Sequence, residues 1–150
     1  MSRPLIIGFG NPLREDDGLG WRVAELLRAD SDGIDILQCQ QLTPELAEDV
    51  VKASLVIFLD AALDQEPGSV SCELVSPDRT RIWTHHLSPA QLMGLAGELA
   101  DVLPAAYLVS GGARSTGWSE TLAAGSQHSA ECMADAARGL LLESVDSECR

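Results

Sequence analysis

Apolar residues in this chain fall into short unbroken runs that alternate with helically spaced sets. Residues 5–9 (Leu-Ile-Ile-Gly-Phe) and 55–59 (Leu-Val-Ile-Phe-Leu) are nearly continuous and bounded by glycine or a charged residue. Runs of that kind suit strands buried on both faces of a parallel sheet. Residues 34–37 and 106–109 read the same way. Residues 70–75, after the Pro67-Gly68 turn, read as an edge strand. Residues 17–28 predict a helix: Trp21, Val23, Ala24, Leu26 and Leu27 include a 3/4-spaced apolar set, with acidic residues in the first turn, where the helix dipole favours them. A second helix opens at Thr43-Pro44-Glu45, with Thr43 as N-cap, Pro44 at the first helical position and Leu46, Ala47 and Val50 on one face. Ser88-Pro89 starts a third helix through about residue 99. A fourth spans about 128–142, with His128 near its start and a fraying tail over 143–150. Residues 111–127 are the one long loop.

The order β-α-β-α-β-β-α-β-α predicts an α/β fold: a three-layer α/β/α sandwich around a mainly parallel, five-stranded twisted sheet with one antiparallel edge strand. At 150 residues the chain reads as a single domain, 1–150, without repeats or a linker. Folds of this kind place their sites beyond the carboxyl ends of the strands.

Charge and cysteine content narrow the function. The formal net charge is −13, from 23 acidic and 10 basic residues. That excludes the basic footprint of a nucleic-acid binder and disfavours an anionic membrane surface; it suits a basic partner segment. The first apolar run is too short for a signal peptide, and no stretch approaches a membrane span, so a cytoplasmic protein is expected. Cys39, Cys72, Cys132 and Cys149 are isolated, with no C-x-x-C pair, and are expected to be free thiols.

Three features converge on the carboxyl edge of the predicted sheet. Glu15-Asp16-Asp17 follows the first strand, Asp60 follows the most apolar strand, and His85-His86 precedes the third helix. Carboxylates and an imidazole from separate loops make a mixed O/N ligand set, which suits zinc, nickel or cobalt. Each has a plainer explanation: helix capping for Asp16 or Asp17, a turn cap for Asp60, an exposed loop for His85 and His86. Capping accounts for one carboxylate of the trio but poorly for three. Other templates fail. Gly8-x-Gly10 lacks the third glycine of the dinucleotide fingerprint, since position 13 is Leu. A nucleotide-binding domain is the weaker reading that this turn leaves. There is no phosphate loop, no G-x-S-x-G elbow and no H-E-x-x-H helix. Ser110 and Ser115 have no paired base.

The segment from Gly8 to Gly20, Gly-Phe-Gly-Asn-Pro-Leu-Arg-Glu-Asp-Asp-Gly-Leu-Gly, resembles the N-terminal signature of the hydrogenase maturation endopeptidases. The resemblance continues in register through Gln40-Gln41-Leu42-Thr43-Pro44-Glu45-Leu46, Phe58-Leu59-Asp60-Ala61-Ala62 and His85-His86-Leu87-Ser88-Pro89. Ser115-Thr116-Gly117-Trp118 resembles a late loop in one branch. Together these span about residues 4–142.

The resemblance implies a twisted sheet between helices and an endopeptidase that trims the C-terminal extension of a nickel–iron hydrogenase large-subunit precursor after nickel insertion. It implies nickel supplied by that precursor, no organic cofactor, and a monomer. By motif position the metal ligands are Asp17, Asp60 and a histidine of the 85–86 pair. The histidine that precedes Leu-Ser-Pro points to His86, with His85 the alternative. Asp17 and Asp60 are the expected catalytic residues, with Asp16 a further candidate for the general base. Two positions depart from relatives: Ala90 stands where some carry the ligand histidine, and Gln40-Gln41 where many carry aspartate or histidine. A metal-sensing assembly chaperone that recognises the same subunit without cutting it fits the residues too.

Overall fold

The computed structural model describes residues 2–29, 32–63, 65–80, 87–113 and 124–148. Five strands make one sheet: β1 (Pro4–Phe9), β2 (Asp35–Cys39), β3 (Leu55–Ala62), β4 (Val70–Leu74) and β5 (Ala105–Gly112). Their order is β2-β1-β3-β5-β4. All neighbours are parallel except β4, which pairs antiparallel with β5 at the edge. The expected sheet, including its antiparallel edge strand, is the observed one.

Alternation along the strands builds two cores. Ile6, Ile57, Leu59 and Val109 face α1 (Leu19–Arg28) and α4 (Ala124–Glu148), while Leu5, Ile7, Val56, Phe58 and Ala106 face the layer of α2 (Leu46–Lys52) and α3 (Pro89–Leu99). The unbroken apolar runs of β1 and β3 follow from this burial on both sides. On α1 the buried positions are 19, 20, 23, 24 and 27, one helical stripe. No described helix is long and apolar enough to cross a membrane. Cys39, Cys72 and Cys132 are free thiols, as expected; Cys149 lies outside the described residues.

Four local expectations change. The first helix does not begin at Asp17: residues Glu15–Gly18 form a separate 3-10 turn, and α1 starts at Leu19 with no acidic residue in its first turn. Thr43 is not the N-cap of α2. That position is Glu45, without a side-chain cap, because the carbonyls of Thr43 and Pro44 already accept from the amides of Leu46 and Ala47. β3 runs past Asp60 to Ala62, since β5 pairs with it as far as Gly112. α4 begins at Ala124, ahead of the expected start, so His128 lies within the helix; it extends to Glu148, through the segment expected to fray.

Candidate active site

Strand order opens a crevice between β1 and β3. From β1 the chain goes outward to β2 on one side and later takes up β3 on the other. Connections leaving the carboxyl ends of these two strands therefore diverge, which is where ligands bind in sheets of this type. Asp17 follows β1 and Asp60 lies near the carboxyl end of β3, so both carboxylates stand at the switch point.

The turn after β1 is built to hold Asp17. Gly10 has φ +134°, and a Cβ there would overlap the Asp17 carbonyl oxygen; only glycine accepts both conditions. The Asn11 side chain accepts from the Leu13 amide at 2.9 Å, and the Asn11 carbonyl accepts from the Arg14 amide at 3.1 Å. The Asn11 amide donates to Asp17 Oδ2 at 2.9 Å, closing the loop on the carboxylate. Gly18, not Asp17, is the N-cap residue of α1, and no side chain caps that helix. Helix capping thus does not explain Asp17. Trp21 anchors the turn: its Nε1–H donates to the Cys39 carbonyl at 2.9 Å, which also accepts from the Gly10 amide at 3.1 Å.

Asp60 is held by backbone pairing on β3 rather than by a loop. It is in register with Ser110 on β5. Its Oδ1 accepts from the Ala61 amide at 2.8 Å. Burial pushes its carboxyl up to about 6; the Ala61 hydrogen bond opposes the shift and the negative charge of Asp17 adds to it. Two carboxylates that feel each other in a crevice favour a bound cation or a shared proton.

The face taken by Asp60 follows from alternation. Val56 and Phe58 pack in the α2/α3 layer, so Asp60 points to that side. Leu87, next in sequence to the histidine pair, packs in the same layer and forms an antiparallel bridge with Leu42. Ser88 then caps α3 in a reciprocal capping box with Gln91. His85 and His86 themselves lie outside the described residues, as do residues 115–118 and the Asp16 side chain. Among the described residues no group of three or more His, Cys, Asp and Glu is arranged to hold a metal ion. Gln40 and Gln41 are exposed after β2. His128 sits on α4, in the layer opposite Asp60, beside Cys132 at 3.7 Å.

Fold and crevice together define an α/β domain with a carboxylate pair at the switch point of its sheet. No protein-family model and no curated protein matches the chain. Solved structures do, over nearly its full length. The hydrogenase maturating endopeptidase HybD from E. coli is 24% identical, with 95% of this chain and 93% of that one covered and a TM-score of 0.73. The NiFe hydrogenase maturation protease HycI from Thermococcus kodakarensis is 25% identical over 97% and 93%, at 0.72. A hydrogenase 2 maturation peptidase from a Thaumarchaeota archaeon is 29% identical over 96% and 98%, at 0.63. The chain has the fold of the hydrogenase maturation peptidases, the class its sequence motifs resemble.

Proposed function

We propose that this protein is an endopeptidase that removes the C-terminal extension of a nickel–iron hydrogenase large-subunit precursor once nickel is in place. The observation that carries the reading is the placing of both Asp17 and Asp60 at the switch point, where Asp60 is half-buried and feels the charge of Asp17. Packing gains nothing from that arrangement, and a cation relieves it.

The nickel belongs to the substrate. Asp17, Asp60 and His86 (or His85) engage it through positions that the precursor's own cysteines leave open, so a sparse ligand set is what such recognition needs. Asp60 serves in its ionised form, which proximity to a cation favours. Asp17, or Asp16, orients the water that attacks the scissile carbonyl and takes its proton. The amine then leaves with a proton, and one peptide bond has been cut. An acidic surface of net charge −13 suits a basic tail. The protein acts as a monomer in the cytoplasm.

The test is mass spectrometry of a nickel-loaded large-subunit precursor incubated with the protein, beside the same precursor without nickel. Loss of a defined C-terminal peptide in the loaded sample alone is the expected result. Cutting in both samples removes the nickel requirement and keeps the peptidase. Binding without cutting in either replaces the peptidase with the assembly chaperone.

A further inference from the structure

The apolar pattern of the α2/α3 face breaks at the level of Asp60. On that face β3 presents Val56, Phe58 and then Asp60, while β5 presents Ala106, Leu108 and then Ser110. Val70 of β4 packs on the opposite face, so Ser71 shares the face of Asp60. Asp60 pairs with Ser110, and Ser110 with Ser71. Residues paired across neighbouring strands project to the same side with Cβ atoms about 5 Å apart. A carboxylate and two hydroxyls therefore stand in one row, each half-buried at the rim of the crevice.

We propose that Ser110 contacts the substrate, its hydroxyl donating a hydrogen bond to the carbonyl oxygen of the peptide bond that is cut. The proposal rests on the peptidase reading. When water adds to the carbonyl carbon, that oxygen becomes negative; it loses the charge when the C–N bond breaks and the amine departs with a proton. Ionised Asp17 and Asp60 only accept hydrogen bonds and repel such an oxygen, and a hydrogen-bond donor beside them stabilises it. Of the strands flanking Asp60, β1 ends in Gly8 and Phe9, which carry no side-chain donor. β5 supplies Ser110. The Asp60 carboxylate takes its hydrogen bond from the Ala61 amide, so holding Asp60 does not require the Ser110 hydroxyl. Ser71 extends the row toward the β4 edge.

Ser110→Ala, Ser110→Thr and Ser110→Val in the full chain test this with the nickel-loaded large-subunit precursor. Ser110→Ala is expected to keep the melting temperature and the affinity for uncut precursor while losing roughly 100-fold in cutting rate. Ser110→Thr, which keeps a hydroxyl, is expected to recover most of it. Wild-type cutting by Ser110→Ala overturns the proposal. So does a loss that Thr fails to rescue, because that marks packing. If the wild type binds the precursor but does not cut it, the peptidase reading fails and binding decides the contact. Ser110→Val then weakens binding by about tenfold or more if Ser110 faces the bound chain, and unchanged affinity overturns it.

Discussion

Asp60 carries opposite consequences for stability and for function. Its carboxyl titrates at about 6 in the folded chain, against about 3.9 when unfolded. Between those values the folded state holds a proton that the unfolded state has lost. Stability therefore falls as pH rises from about 4 to about 6 and stays lower above, by roughly 2–3 kcal/mol. Asp60→Asn removes that penalty. Urea melts are expected to show the variant more stable than wild type near pH 7.5 and equal to it near pH 4, while precursor cutting is lost. Asp17→Asn keeps an oxygen for the Asn11 amide, so it is expected to shift stability by less than about 1 kcal/mol and to abolish cutting in the same mass-spectrometric assay. Asp60 stands out in the sequence because it closes an apolar run, whereas Asp17 is picked from its acidic trio only by the motif resemblance. Ser110 does not stand out: its significance is adjacency to Asp60 on another strand, and its own segment offers no paired base.

At the scale of elements, the connections rather than the helices and strands depart from expectation. Apolar spacing located every strand and the bodies of the helices, because burial imposes the period. The entry to α1 escaped because a 3-10 turn and a helix start share the same composition, and Thr43 escaped because backbone carbonyls did the work of a cap. Where a cap was built, at Ser88, its loss is measurable: Ser88→Ala removes the bond to the Gln91 amide and is expected to cost about 1 kcal/mol in a thermal melt. A second junction ties the β3–β4 loop to β5 and α4. The buried Ser129 hydroxyl accepts from the Gly68 amide and donates to the Gly112 carbonyl, and the Gly112 amide donates to the Ser69 carbonyl. A Cβ at Gly112 would overlap the Glu66 carbonyl oxygen, so the loop lies directly on the strand end. Ser129→Ala is expected to destabilise by about 1–3 kcal/mol in denaturant unfolding, by leaving buried backbone groups without a partner.

Over the whole molecule, 23 acidic against 10 basic residues leave a net charge of −13, which opposes compaction by self-repulsion. Raising salt from low concentration to about 0.5 M shortens the screening length, and calorimetry is expected to show the melting temperature rising with it. A flat response would mean that the surface charges are already spaced or paired well enough not to matter. The sequence by itself determined the order of the strands and main helices and the parallel core with its antiparallel edge, since each depends on local periodicity, and it marked Asp60 as the charged residue ending the most apolar run. Tertiary structure alone decided that the charge of Asp17 reaches Asp60, that Asp60 faces the α2/α3 layer, and that Ser110 stands beside it. The reason is physical: strand order and register set distances between residues far apart in the chain, and neither leaves a trace in the spacing within a single segment.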